Sequence, residues 1–242
     1  MNYSISTHCI HSEPLSTALD LLSPYTKYIE VMSEGLHRIT STTELESYNV
    51  KYSIHAPFQD VNIAAISEPI RKNSVKQISD TFKIATELGA PVIIHPGYYS
   101  SEPEYELSKR QLQLSLSQIK KEADNVGVTY YIENMGDWGM YFLKNPTDLK
   151  LINDTGSAFC LDIGHANNCG NLNQFLIHKF GHVHLHDNNG DNDSHNPIGN
   201  GNIDFDLVMK RVIENNIKIP VIEVSTIDGA IESLNTLKQR YG

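Results

Sequence analysis

The stretch His182-Val183-His184-Leu185-His186-Asp187, followed by Asp193-x-His195 and Gly199-x-Gly201, organises the reading of the whole chain. A strand turns successive side chains to opposite faces, so the three histidines share one face and Val183 and Leu185 the other. One face is therefore polar and the other suited to a core. A single imidazole on an inward strand face is usually a hydrogen-bonded core group. Three in alternation, with a carboxylate and an Asp-x-His just downstream, point instead to ligands for a divalent metal.

Outward from this strand, short β-branched runs alternate with helical patterns along the chain. The strand candidates are Tyr3–Cys9, Tyr28–Val31, Tyr52–His55, Val92–His95, Thr129–Glu133, Phe159–Asp162, His182–His186 and Val221–Val224. Between them, Val75, Ile78, Phe82 and Ala85 form one apolar helical stripe, and Leu112, Leu116, Ile119, Ala123 and Val126 another. Gly89 and Gly127 stand where helix C-termini are expected, and Pro103 and Pro146 near helix starts. Eight strand-then-helix units over residues 1–242 predict a single α/β domain, a (β/α)8 barrel. A doubly wound open sheet is the alternative, because strand order is not written in one sequence. The barrel gains support from placement. His55, His95, Glu133, Asp162, His184 and Glu223 all fall at or near strand C-terminal ends, where a barrel builds its site.

Composition narrows the function classes. The 242 residues carry a formal charge of −10, which argues against a nucleic-acid platform as a whole-chain property. The start Met1-Asn2-Tyr3-Ser4-Ile5 lacks the pattern of a signal peptide, and no apolar run approaches a membrane span, so a cytoplasmic protein without membrane contact is expected. Cys9, Cys160 and Cys169 are too scattered for a disulfide framework or a thiolate zinc site.

Several strings now resemble a known family. Ile54-His55-Ala56-Pro57, Ile94-His95-Pro96-Gly97, Ile132-Glu133-Asn134, Leu161-Asp162-Ile163-Gly164-His165, His182-Val183-His184, Asp193-Ser194-His195, Pro197-Ile198-Gly199-Asn200-Gly201 and Ile222-Glu223-Val224 look like the xylose-isomerase-like TIM-barrel superfamily. That superfamily holds sugar isomerases and epimerases and also endonuclease IV. In the epimerase branch the resemblance implies one divalent metal on Glu133, Asp162, His184 and Glu223, with the two glutamates as acid and base beside a carbonyl. A cation there polarises the carbonyl and stabilises the enediolate. In endonuclease IV the resemblance implies three zinc ions, with ligands falling on His55, His95, Glu133, Asp162, His165, His184, Asp193, His195 and Glu223. The ketohexose 3-epimerase branch carries an arginine near the position of His195, which this chain lacks.

The expected barrel-top stretches Thr7–Thr26, His55–Ile70, Val92–Leu107, Tyr131–Leu143, Cys160–His178, Gly181–Met209 and Val221–Leu237 contain no Lys or Arg. DNA binding draws on such cations, so nucleic acid is a disfavoured partner and a small-molecule sugar the favoured one. The leading expectation is thus a metal-dependent sugar or sugar-phosphate isomerase or epimerase. An endonuclease-IV-like phosphoesterase is the alternative. One to three ions of zinc or manganese are expected as cofactor. Asn134, Trp138, His165 and His195 are candidate substrate contacts, Asn62, Asn167 and Asn188 candidate loop amides, and Gly199-Asn200-Gly201 a candidate phosphate cradle. Trp138 and Tyr141 could wall a sugar ring. Glu30 reads as a partly exposed strand-end carboxylate, His182 as a satisfied interior histidine and His8 as a possible pocket residue. His186 competes with His184 as ligand. Oligomeric state is not legible in the pattern.

Overall fold

Eight short strands pair side by side in chain order in a computed structural model describing residues 1–242. They are β1 Ser4–Ser6, β2 Tyr28–Met32, β3 Lys51–His55, β4 Val92–Ile94, β5 Tyr130–Glu133, β6 Ala158–Asp162, β7 His182–Leu185 and β8 Val221–Ile222. Every pair is parallel, and β8 closes on β1, which settles the barrel over the open sheet. Eight helices surround it: α1 Leu15–Leu22, α2 Glu68–Leu88, α3 Tyr105–Val126, α4 Leu149–Asn153, α5 Ile163–Asn168, α6 Leu172–Leu176, α7 Phe205–Glu214 and α8 Ile227–Tyr241. They are not distributed one per strand. After β2 come only the 3-10 turns Gly35–His37 and Leu45–Ser47, whereas β6 is followed by both α5 and α6.

Alternation along the strands separates two interiors. Ile5, Ile29, Val31, Ile54, Val92, Ile94, Ile132, Leu161, Val183, Leu185 and Ile222 are buried in the shared apolar core between barrel and helices. Each such side chain contributes about 1.5–3 kcal/mol relative to an exposed one. The opposite strand positions are largely polar, with Ile93, Cys160 and Val221 among the exceptions. Glu30 on β2 accepts from Ser53 Oγ on β3 at 2.7 Å and lies 2.9 Å from His182 Nε2 on β7. Strands β2 and β7 are not neighbours in the sheet, so their side chains meet across the barrel interior.

Val75, Ile78, Phe82 and Ala85 bury one face of α2, which ends at Gly89 in the left-handed region (φ 62°). Leu112, Leu116, Ile119 and Ala123 do the same for α3, ending at Gly127 (φ 74°), but Val126 in the final turn is exposed. A side chain would resist both cap conformations, which glycine adopts freely. The first strand is shorter than its β-branched run suggests. It stops at Ser6, whose hydroxyl accepts from His8 N at 3.2 Å and starts a 3-10 turn over Thr7–Ile10. His8 is thereby carried to the barrel mouth instead of continuing the strand. No helix is long and apolar enough to cross a membrane.

The loop after β7 is organised by Asp187. Its carboxylate accepts from Asn188 N (3.0 Å), Ile203 N (3.2 Å), Gly199 N (3.0 Å) and Gly201 N (3.0 Å) while nearly fully buried. Gly201 is obligatory here, since a Cβ would fall 2.3 Å from Asp187 Oδ1 and 2.4 Å from the Asn188 carbonyl oxygen. The glycine amides expected to cradle phosphate are therefore already engaged. Asp187→Ala strands four N–H donors, those of Asn188 and Ile203 buried, and we expect a loss of about 3 kcal/mol or more in urea unfolding, with Asp193 and His195 displaced. An unchanged unfolding midpoint would show that the loop is held by other contacts.

Candidate metal centre

At the C-terminal end of the barrel, side chains from different strands converge on a cavity of about 200 Å³. Closure makes the strand ends neighbours, so residues far apart in sequence meet there. Five groups of donors form in the barrel, each with its ligand atoms within 4.8 Å of one another, and three of them together take in the mouth residues. His55, His95 and Glu133 make the first, Glu133, Asp162, His184 and Glu223 the second, and His165, His186, Asp193 and His195 the third. All nine positions implied by the endonuclease IV resemblance are brought together, with His186 added.

Glu133 belongs to two of these three at once. Its Oε2 lies 3.2 Å from His55 Nε2 and 3.1 Å from His95 Nε2, while Oε1 lies 2.8 Å from His184 Nδ1. The same His184 nitrogen is 3.2 Å from Glu223 Oε2 and 3.7 Å from Asp162 Oδ2. In the third group Asp193 Oδ2 is 3.1 Å from His195 Nε2 and 3.6 Å from His165 Nε2. His186 Nε2 lies 3.0 Å from Asp162 Oδ1 and 3.9 Å from Asp193 Oδ1, so it stands between the second and third groups.

The other ring nitrogens decide which atoms can ligate. Nδ1 of His55 meets Ala56 O at 2.9 Å, Nδ1 of His165 meets Asn134 O at 2.9 Å, and Nδ1 of His195 meets Glu223 O at 2.6 Å. A backbone carbonyl can only accept, so these contacts put the proton on Nδ1 and leave the Nε2 lone pair free for a cation. His184 is reversed. Its Nε2 lies 2.7 Å from Glu30 Oε1, leaving Nδ1 for the donor group. Glu30 is fully buried, so its reading as a partly exposed strand end is corrected. Its position on an inward-facing register, two residues before Met32, was available in the sequence, but its partners His182 and His184 lie more than a hundred and fifty residues away. His182 is satisfied by Glu30 and stacks on Tyr131.

The charges suit a cation. Burial would raise the Glu133 and Asp162 pKa values, yet the surrounding histidines hold both well below the usual carboxylate range. Burial likewise opposes ionisation of Glu223, and His184 beside it brings it down to about 2. His195 is pulled down by burial, but Asp193 raises it to about 9. Imidazolium thus balances carboxylate where a divalent ion would otherwise do so. Asp162 Oδ2, Asp193 Oδ1 and His186 Nδ1 are buried without any hydrogen-bond partner, and an uncompensated polar atom of this kind is costly. Imidazole and carboxylate donors in these numbers fit zinc, with the four-donor group also suited to manganese.

Other expected contacts sort differently. Asn134 is fully buried, donating to Asp162 O at 2.9 Å and accepting from Asp162 N at 2.8 Å. Its amide joins β5 to β6 and is not free for substrate. Asn62, Asn167 and Asn188 also spend their amides on loop contacts. Trp138, Tyr141 and His8 do line the cavity, with Trp138 edge-on to His165 at 4.9 Å and His8 stacked on His195 at 4.5 Å. The cavity lining contains no Lys or Arg. Lys144, just past β5 and its loop, pairs with Asp137 at 3.0 Å.

Sequence and structure comparisons place this arrangement among relatives. A protein of Methanocaldococcus jannaschii of uncharacterised function is 34% identical over 233 residues, 93% of this chain and 92% of that protein. A probable endonuclease 4 of Mycobacterium tuberculosis is 26% identical over 215 residues, 82% of each. The crystal structure of a D-tagatose 3-epimerase-like protein has a TM-score of 0.90 at 30% identity, covering 99% of this chain and 96% of that one. Residues 40–240 match the profile of xylose isomerase-like TIM barrels, from the segment after β2 to the last turn of α8, and the chain therefore belongs to that family.

Proposed function

We propose that this protein is a polynuclear, divalent-metal-dependent enzyme that cleaves phosphoesters of small, sugar-like substrates. Glu133 carries this reading. Each of its oxygens faces a different donor group, so it would contribute to holding a cation in either one. A carboxylate engaged on both oxygens is poorly placed to take a proton from carbon, as the one-metal epimerase chemistry asks of it. The probable endonuclease 4 relative supports the same direction.

When bound, the cations would supply Lewis acidity and neutralise charge on a phosphoryl group, work that no Lys or Arg of the cavity can do. The chain's own residues hold and shape. The backbone-fixed histidines keep their Nε2 atoms aimed inward, and Trp138, Tyr141, Met135 and Phe58 wall the cavity and limit water. Burial and the neighbouring His195 bring the His8 pKa to about 4, so His8 is neutral near pH 7 and can accept from a substrate hydroxyl. A cavity of about 200 Å³ without Lys or Arg fits a small molecule better than a duplex, whose binding depends on contacts to many phosphates.

A second reading, the sugar isomerase or epimerase, is favoured by the D-tagatose 3-epimerase-like structure and by Glu223, whose Oε1 meets only Ser6 Oγ at 3.2 Å. There Glu133 and Glu223 would exchange the proton, and His55, His95, Asp193 and His195 would face substrate. The two readings differ in metal count. Elemental analysis of the purified protein is expected to give about three ions per chain, and Asp193→Ala about one fewer, with turnover of small aryl phosphodiesters. About one ion per chain, no phosphoester cleavage, and deuterium exchange into a ketose that Glu223→Gln abolishes would replace this reading by the second. Incision of abasic DNA would extend the substrate class to nucleic acid.

Glu30→Gln keeps the size of the side chain but removes the charge that orients His184. We expect metal affinity at the four-donor group to fall about 10–100-fold in chelator competition, with the fold retained by circular dichroism. Affinity equal to the parent protein would show that Glu30 only fills the barrel.

A further inference from the structure

A cavity of about 380 Å³, larger than the metal cavity, opens at the opposite end of the barrel, where the strands begin. Its size lies within the range of small-molecule sites, about 300–1,000 Å³. Lys51, Lys179 and Lys218 line it, and no Asp or Glu does, although the chain as a whole carries a charge of −10. The three lysines precede or begin β3, β7 and β8, so no single helix face or sequence run accounts for their meeting. None has an ion-pair partner, in contrast to helix lysines such as Lys76, Lys120 and Lys150, each paired with an aspartate four residues on. The wall between them includes Tyr52, Phe180 and Ile217.

Ser4 supplies a second, independent sign. Its side chain lines this cavity, is only 2% exposed, and its hydroxyl has no hydrogen-bond partner. A buried unpaired hydroxyl has lost its hydrogen bonds to water, and a polar ligand group would restore one.

We propose that this basal cavity binds a small organic anion. The lysines meet its charged group, the Ser4 hydroxyl bonds a polar atom, and Tyr52, Phe180 and Ile217 receive an apolar or planar body. The site is separate from the metal centre and does not depend on the reaction performed there. Two of its lining residues, Ser53 and His182, are those that hold Glu30.

Isothermal titration with 2-naphthalenesulfonate, a planar anion and a poor metal ligand, tests this on the full-length protein. Saturable binding of one molecule per chain is expected, weakened at least tenfold in Lys51→Ala/Lys179→Ala/Lys218→Ala. The charge-matched variant Lys76→Ala/Lys120→Ala/Lys150→Ala should bind as the parent does. Ser4→Leu, which fills the cavity, should abolish binding if its melting curve shows a folded protein. Absence of saturable binding, retention in the basal-lysine variant, or equal loss in both lysine variants would overturn the proposal, the last by showing general charge attraction.

Discussion

Four carboxylates, Glu30, Glu133, Asp162 and Glu223, lie inside a closed barrel at 5% exposure or less, and the rest of the arrangement follows from the need to compensate them. An ion removed from water costs several kcal/mol unless paired and hydrogen-bonded. Here the partners are imidazoles from other strands and strand ends: His182 and His184 for Glu30, His55, His95 and His184 for Glu133. This demands strand positions that are polar inward and apolar outward, which is the alternation seen in β7. It also explains why His184 sits at the centre, with one nitrogen on each side of the network.

Around this axis the loops add what the strands cannot. The third donor group depends on Asp193 and His195, which lie beyond β7 on a loop without helix or strand of its own. Asp187 gives that loop a fixed shape through four backbone donors, and His195 is held at φ 44°, a left-handed conformation uncommon outside glycine. Strain of this kind persists only where surrounding contacts enforce it. Ser225 N, bonded to His195 O at 3.0 Å, and the His195 Nδ1 contact to Glu223 O tie this loop to the end of β8. The third group is thus as well braced as the two built on strands.

The two ends of the barrel differ in charge. The mouth gathers carboxylates and histidines and has no Lys or Arg in its lining. The base gathers unpaired lysines and no carboxylate. The paired lysines are spread along the outer helices instead.

By itself the sequence determined the barrel's periodic framework and the chemical types at its mouth. Strand alternation in His182–Leu185, helical stripes such as Val75–Ala85 and the caps Gly89 and Gly127 are local patterns, readable because period and backbone geometry are properties of neighbouring residues. Most residues of the donor groups were legible as candidates because they fall at or near strand ends within short strings, whereas Asp193 and His195 lie on the loop after β7. Tertiary structure alone decided how those side chains were used. Asn134 looked free and is spent on β6, Gly199 and Gly201 looked like a phosphate cradle and are spent on Asp187, and Glu30 looked exposed and is the buried partner of His184. Each of these depends on a contact between distant segments, and closure of the barrel creates such contacts without leaving a mark in the local pattern of residues.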